Sequence, residues 1–253
     1  MGAPFVSVIM PAYNTEKYIE EAIRSVVSQT VQDWELVVID DCSTDATRQV
    51  IKDLCEGDQR IRLYENESNM GVAKTRNRGF QLAQGEYVAL LDSDDVWAKE
   101  KLEAQLAAMR ESGADLCYTS YALINDQGER IRRDYLVPAY VLLEDMLREN
   151  HIGCSTVMLR AQTAREYGFN TGFYHEDYEL WLRLLKDGRK AVGCTDVLAS
   201  WRYVQNSRSF NKIKSAKNRW AIYRKRLGLS VLESLALLGA YATAGLRKHG
   251  GLG

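Results

Sequence analysis

Histidine is scarce: His151, His175 and His249 are the whole supply in 253 residues, too few for a histidine-rich metal centre. Cysteine is present but unpatterned. Cys42, Cys55, Cys117, Cys154 and Cys194 are odd in number and show no Cys-x-x-Cys spacing, which excludes a zinc site or a disulfide frame and fits a reduced, cytoplasmic protein. No Gly-x-Gly-x-x-Gly follows the first apolar run, so a Rossmann dehydrogenase is a poor match. A secretion leader is not expected, because Val6-Ser7-Val8-Ile9-Met10 is too short for its apolar region and no cleavage site follows. Internal repeats and low-complexity stretches are absent as well.

With 46% hydrophobic residues, the chain can bury one large core and carry an appendage. Its net charge of −1 hides a division. From Trp201 onward eleven Lys or Arg face one acid, Glu233, a formal +10; the part before holds 22 basic and 33 acidic residues, a formal −11. An acidic body with a basic tail directs the tail towards an anionic surface.

The first half alternates strand and helix. Phe5 to Met10 reads as a strand, followed by an amphipathic helix from about Glu16 to Ser28 with Ile19, Ala22, Ile23, Val26 and Val27 on its buried face. Glu35 to Asp40, Ile61 to Glu65 and Tyr87 to Leu91 are the next strands, with helices ending near Leu54 and Ala83 between them. This is an α/β pattern: a mostly parallel, Rossmann-like sheet with right-handed crossovers, covered on both faces. Ligands of such sheets bind beyond the carboxyl ends of the strands. Pro11-Asn14, Asp40-Asp45, Asn66-Gly71 and Asp92-Asp95 all fall on that edge. Further on, the pattern predicts a helix from Ala98 to Ser112, a strand from Asp115 to Leu123 and a short helix near Val141 to Arg148. A strand over Ser155-Leu159 and a helix from Tyr178 to Lys186 follow.

Three carboxylates, Asp92, Asp94 and Asp95, crowd the end of the apolar run Tyr87-Leu91. Such acids repel one another unless a cation or ligand compensates. Oxygen-only ligands suit a hard divalent ion, Mn²⁺ or Mg²⁺, which keeps positions open for phosphate oxygens. The alternative is that Asp94 or Asp95 caps the helix starting near Ala98. A second acidic pair, Glu176-Asp177, precedes an apolar helix, and Asp177 could equally be that helix's cap.

Val8-Ile9-Met10-Pro11-Ala12-Tyr13-Asn14, Val38-Ile39-Asp40-Asp41-Cys42-Ser43-Thr44-Asp45, Asn69-Met70-Gly71-Val72-Ala73-Lys74-Thr75-Arg76-Asn77, Leu91-Asp92-Ser93-Asp94-Asp95 and His175-Glu176-Asp177-Tyr178-Glu179-Leu180-Trp181 occur in that order. Together they resemble family 2 glycosyltransferases of the GT-A fold, bacterial surface-polysaccharide enzymes of the teichuronic acid type among them. The resemblance covers roughly residues 4–203. It implies an inverting transfer from a nucleotide sugar, UDP-linked, to a hydroxyl of a lipid-linked saccharide, with Mn²⁺ or Mg²⁺ as cofactor.

The donor site it implies comprises Pro11, Tyr13, Asn14, Asp41, Asn69, Gly71, Arg76, Asp92, Ser93 and Arg202. Tyr13 would stack on the base and Asp41 accept its ring N–H. Asp92 falls to the donor ribose and Asp94 to the metal. Arg76 would neutralise a phosphate or brace the base pocket, or form a surface salt bridge instead. Asp177 is the base that the family pattern supplies, kept ionised by the helix dipole. Glu176, His175 and Trp181 lie on the acceptor side, although Trp181 at helical spacing with Leu180, Leu184 and Leu185 also suits a core position. Cys42 stands where the family usually has glycine. Trp201-Arg202-Tyr203 with Ser207-Arg208-Ser209 resembles the family's closing segment, in which a basic residue reaches the donor diphosphate.

Residues 204–253 form a basic, amphipathic helical tail beyond the catalytic domain, 1–203. Ile213, Ala216, Trp220, Tyr223 and Leu227 share one helical face, and Leu229 to Leu246 is a second, apolar stretch interrupted by Glu, Gly and Thr. An interfacial helix on the inner face of the cytoplasmic membrane, a pair packed back on the sheet, and a homo-oligomer contact all fit this pattern. Nucleic acid is not among the expected partners. Two rivals remain: a nucleotidyltransferase, although Pro11-Ala12-Tyr13-Asn14 lacks the Gly-rich phosphate loop, and a catalytically inactive nucleotide-sugar binder.

Overall fold

The computed structural model describes residues 4–203 and 212–249. An eight-stranded sheet in the order β3-β2-β1-β4-β7-β6-β8-β5 runs through it. β1 (Val6–Ala12), β2 (Trp34–Asp40), β3 (Ile61–Glu65) and β4 (Tyr87–Leu90) are mutually parallel, as the alternating pattern predicts. The helices between them are α1 (Ile19–Val27), α2 (Thr47–Gly57) and α3 (Val72–Leu82). Every residue of β1 and β2 is buried, the signature of a sheet covered on both faces.

Strand periodicity divides the interior in two. Ile9, Val37, Ile39, Val88 and Leu90 point to one face, where Phe80 of α3 packs. Val8, Met10, Leu36, Val38, Ala89 and Leu91 point to the other, against Ile19, Ile23 and Val26 of α1 and Ile51 of α2. On the first face α3 lies unusually close to the sheet, because a Cβ at Gly79 would collide with the Ile9 and Ile39 side chains.

The second half departs further from expectation. α4 (Lys101–Ser112) and β6 (Leu116–Ile124) form where predicted, as does α5 (Leu143–Arg148). The strand expected over Ser155-Leu159 is instead a 3₁₀ turn, Cys154–Thr156, followed by β7 (Met158–Arg160), antiparallel to β4 and β6. β5 (Val96–Trp97), α6 (Ala161–Tyr167) and β8 (Ala191–Arg202) have no counterpart in the sequence pattern. β8 runs parallel to β6 with a register shift between Thr119 and Tyr121. α7 (Glu176–Lys186) begins two residues earlier than predicted.

The tail packs onto the body. α8 (Lys212–Ala221) passes through a π-helical turn, Ile222–Arg226, to α9 (Val231–His249). Ile222 and Tyr223 are fully buried in the same cluster as Ile9 and Trp181. The face that docks is Ser215, Asn218, Arg219, Ile222 and Tyr223, whereas Ile213 of the expected apolar stripe is 71% exposed. Polar anchoring rotates the helix away from its apolar periodicity: Arg219 donates to the Tyr178 hydroxyl at 2.8 Å and Arg226 Nε to Glu179 Oε1 at 2.6 Å. Gly228, at φ 72°, turns the chain into α9. Glu233, read in the sequence as an interruption, closes a capping box with Ser230: Ser230 N–H donates to Glu233 Oε2 at 2.8 Å and Glu233 N–H to Ser230 Oγ at 3.2 Å. Arg208 lies outside the described residues.

Two backbone positions make opposite predictions. Cys42 holds φ at 67°, where a Cβ costs about 1–2 kcal/mol. Cys42→Gly relieves that strain, offset by about 0.4–1 kcal/mol of unfolded-chain entropy, so thermal denaturation should show a midpoint equal to or up to about 3 °C above the parent. Gly79→Ala forces α3 off the sheet and should lose about 1–3 kcal/mol in the same assay.

Candidate active site

The carboxyl edge of the sheet gathers the polar chemistry. Pro11 lies past the last β1–β4 pair, Ile9 with Leu90, so its missing N–H falls where that ladder has ended. Tyr13 beyond it is 49% exposed. Asn14, at φ 52°, ties this loop to the next strand's end: its N–H donates to Ser43 Oγ at 3.0 Å and its Oδ1 accepts from Thr44 N–H at 2.8 Å.

Asp41 is almost completely enclosed, and three donors hold its carboxylate. Asn66 Nδ2 and the Met70 N–H reach Oδ1 at 2.7 and 2.8 Å, and the Gly71 N–H reaches Oδ2 at 2.8 Å. A carboxylate has about four acceptor positions, so one is left for a ligand N–H. Gly71, at φ 80°, is the N-cap of α3, and Asn69 beside it is exposed. Asp45 accepts the Thr47 N–H at 3.0 Å and so satisfies a free donor at the start of α2.

At the end of β4 the acids separate by environment. Asp92 is half-exposed, and its N–H donates to Ser155 Oγ at 3.1 Å. Ser93 is buried. Asp94 is pushed up to about 6, first by burial and then by the charge of Asp92. Asp95 is buried with both oxygens bonded, accepting from Ser155 Oγ at 2.5 Å and from the Arg202 N–H at 2.8 Å. Neither acid caps a helix: α4 starts at Lys101 behind Glu100, and the Leu102 N–H of its first turn donates to Gln29 Oε1 at 3.0 Å.

The second acidic pair comes to the same place through Arg76. This buried guanidinium donates to Asp92 Oδ1 at 2.5 Å and to Glu176 Oε1 at 2.9 Å, joining α3, the β4 edge and the start of α7. Burial opposes its charge, but Asp92 and Glu176 outweigh burial and hold it above its ordinary range. It is therefore an interior bridge and no surface salt bridge. Asp177 sits in the first turn of α7 behind the N-cap His175. Its carboxyl is pushed up to about 6 by burial and by Glu176; Arg76 and the Tyr178 N–H pull the other way, and Asp92 adds to the rise.

Three expected ligands are placed elsewhere. Arg202 is 1% exposed, and all its guanidinium nitrogens are committed: Nε to Asp94 O at 2.9 Å, one terminal nitrogen to Asn125 O at 2.9 Å and the other to Glu21 Oε2 at 2.5 Å. It braces the acidic loop from behind, so the expectation that it reaches a diphosphate is corrected. Trp181 is fully buried against Phe169 and floors no sugar pocket. His175 turns its Nε2 to Ser215 Oγ of α8 at 2.8 Å, which makes it an anchor for the tail.

Sequence reasoning missed the residues that hold the acids. Asn66 grips Asp41, Ser155 grips Asp92 and Asp95, and Asn218 accepts the Tyr174 N–H at 2.7 Å just before the second acidic pair. Cys154, whose thiol burial pushes up, senses the charges of Arg76, Asp92, Asp177 and Glu176. Ser155 and Cys154 carry no local signal, whereas Asn66 directly follows a strand end and could have been suspected.

Among the described residues no three His, Cys, Asp or Glu side chains converge as a self-sufficient metal site. The residues nonetheless fit a divalent ion that completes its shell from a ligand. Asp94 carries a carboxyl raised by burial and by a like-charged neighbour, the imbalance a cation removes, and Mg²⁺-type sites use one or two carboxylates plus phosphate oxygens.

Comparisons with known proteins place the chain in a family. The pattern described as "Glycosyl transferase family 2" matches residues 7–180. TuaG of Bacillus subtilis (strain 168), whose name assigns it to teichuronic acid biosynthesis, is 38% identical over 97% of this chain and 98% of its own. WfgD of Escherichia coli, named as a UDP-Glc:alpha-D-GlcNAc-diphosphoundecaprenol beta-1,3-glucosyltransferase, is 39% identical over 96% and 94%. Among solved structures, S. aureus TarS 1-349 with UDP-GlcNAc has a TM-score of 0.74 at 22% identity, covering 96% of this chain and 73% of that one. The mannosyltransferase PcManGT from Pyrobaculum calidifontis, with GDP-Man and Mn²⁺, reaches 0.73 at 20% identity, covering 100% and 77%. The chain, with an α/β sheet of the GT-A kind and acids gathered at its carboxyl edge, belongs to glycosyl transferase family 2.

Proposed function

We propose that this protein is an inverting glycosyltransferase that moves a sugar from a UDP-sugar to a hydroxyl of a lipid-linked saccharide during surface-polysaccharide assembly. The observation that carries it is the Arg76 bridge, which joins a donor-side acid, Asp92, to the acceptor-side pair Glu176-Asp177. The names of TuaG and WfgD support the substrate class. Family membership takes away the ground for a nucleotidyltransferase, and turnover of donor by the purified chain separates an enzyme from a binder.

Each side chain has a defined task in this reading. Tyr13 stacks on the base and Asp41, fixed by its three donors, accepts the ring N–H with its remaining lone pair. Asp92, held by Arg76, receives the ribose hydroxyls. Asp94 would hold Mn²⁺ or Mg²⁺, which supplies neutralising charge to the diphosphate leaving group. Asp177 takes the proton from the acceptor hydroxyl as its oxygen attacks the anomeric carbon opposite the leaving group. One base and no covalent intermediate give inversion. Arg76 keeps Glu176 compensated beside that base, so the helix start is fixed although two acids are adjacent.

The tail supports peripheral membrane binding. Val231, Leu232 and Leu235 of α9 and Ile213 of α8 are exposed, as are Lys214, Lys217, Arg224, Lys225 and Arg226. Apolar side chains beside basic ones suit an anionic lipid surface. No helix among the described residues is long and apolar enough to cross a membrane. The same face could serve a homo-oligomer contact, and vesicle sedimentation decides: binding to anionic but not neutral vesicles, lost at high salt and weakened by Leu232→Glu, is expected. Indifference to both vesicle types leaves the contact between copies.

Two substitutions separate the halves of the site. Asp94→Ala should abolish Mn²⁺-dependent UDP binding in calorimetry and leave the fold intact. Asp177→Asn should keep UDP affinity and lower the turnover number by about 10²–10⁴. Because Asp177 must be ionised to act, parent turnover should fall as pH drops below about 6, the value set by burial and Glu176 against Arg76 and the Tyr178 N–H. An Asp177→Asn variant that transfers sugar at the parent rate would sink the assignment.

A further inference from the structure

Outside the cleft, two cysteines and a lysine meet beneath α4. On the parallel strands β6 and β8, Cys117 pairs with Val192 and Cys194 with Thr119, so the thiols stand two residues apart along one face of the ladder. Their Sγ atoms are 3.6 Å apart. Bonding needs a closer approach of about 1.5 Å, and because diagonal neighbours on paired strands lie about 7–8 Å apart, a small backbone shift at the β8 irregularity must accompany side-chain rotation. Cys117 is completely buried, whereas Cys194 is half-buried and its Sγ lies 3.8 Å from Ala104 O. β5 pairs with β8 only at Ala199 and Ser200, and just before Cys194 the outer edge is covered by residues 138–140: Tyr140 bridges Val192, and the Gly193 N–H donates to Ala139 O at 2.7 Å.

Lys101 joins the cluster through Gln105, whose Nε2 donates to Cys117 O at 3.1 Å. The lysine is fully buried at the start of α4, donates Nζ to Gln105 Oε1 at 2.5 Å and sits 3.8 Å above the Trp97 ring. Among the described residues no carboxylate forms an ion pair with it. Such a buried amine is costly to charge, and burial brings it down to about 7, with Cys117 and Cys194 the neighbours that favour its charge. The Cys117 contact and Lys101 hold the Cys194 thiol below its usual range, against burial and the charge of Asp196. A half-exposed thiol beside a lysine is the setting in which cysteines react.

We propose that Cys117 and Cys194 form a thiol–disulfide exchange site, activated by Lys101, whose substrates are low-molecular-weight disulfides. Cys194 passes its proton to the Lys101 amine and attacks one sulfur of the small disulfide. That S–S bond breaks, one small thiolate leaves, and a mixed disulfide remains on Cys194. Cys117 then attacks Cys194 Sγ and expels the second small thiolate. The two protein thiols lose two electrons and two protons, and the small disulfide departs as two thiols. The resulting link closes a 77-residue separation that contains Glu176 and Asp177. It joins β6 to the strand ending at Arg202 but touches no residue of the cleft.

Oxidised glutathione on the full-length protein, followed by non-reducing peptide mapping, tests this. The expected result is a Cys117–Cys194 cross-linked peptide, a melting midpoint raised by about 5 °C or more, and reversal by dithiothreitol. Cys117→Ser should stop at glutathione on Cys194, Cys194→Ser should show neither link nor raised midpoint, and Lys101→Met should slow modification of Cys194 about tenfold. Absence of the link after exhaustive oxidation, or modification of Cys194 no faster than of Cys42, Cys55 and Cys154, overturns the proposal. The digest of the parent protein decides between these outcomes even where a variant fails to fold.

Discussion

Arg76 carries a positive charge into the interior and places it between Asp92 and Glu176, two acids 84 residues apart in sequence that would otherwise repel. Desolvating a guanidinium is expensive, and only well-made pairs on both sides keep it charged. The consequence is geometric. α3, the loop after β4 and the start of α7 share one cation, so none can shift without leaving a buried charge unpaired. α3 can supply that cation because Gly79, one turn on, lets the helix lie against Ile9 and Ile39.

A second set of contacts makes the acidic edge rigid from behind. Ser155 bonds both the Asp92 N–H and the Asp95 carboxylate, and Arg202 grips the same loop while reaching Glu21 on α1. Asp95 is buried within this frame, which leaves Asp92 and Asp94 to face ligands. On the acceptor side the tail has an equivalent role. Ser215 and Asn218 of α8 hold His175 and Tyr174, and Arg219 holds Tyr178, so the residues flanking Glu176-Asp177 are fixed by a segment that composition alone sets apart.

The first four strands were readable because their apolar runs are bounded by turns, and the motifs at their ends fell where a parallel sheet places a cleft. β8 was not. Gly193, Cys194, Thr195 and Asp196 interrupt its alternation, and it is a strand because β6 pairs with it across a register shift. β5 is two residues long, and α6 follows β7 without a break, so neither leaves a periodic trace. At the site, Asp41, Asp92, Asp94 and Asp177 were legible as residue types in a pattern. Whether Arg202 faced the ligand or the loop depended on Asp94, Asn125 and Glu21, and no local window contains that information. Trp181 was ambiguous for the same reason: helical spacing suits core and pocket alike, and packing against Phe169 decided.

Arg76 is the shared partner of the two halves of the site, and a double-mutant cycle on stability measures that directly. Denaturant unfolding of Arg76→Met, Glu176→Gln and the double variant isolates their coupling. Arg76→Met alone should lose about 3–5 kcal/mol, because the buried ion pairs lose their shared cation. Adding Glu176→Gln should return at least about 1 kcal/mol of that loss. Losses that add to within about 0.5 kcal/mol would show the two residues to be independent and contradict the bridge.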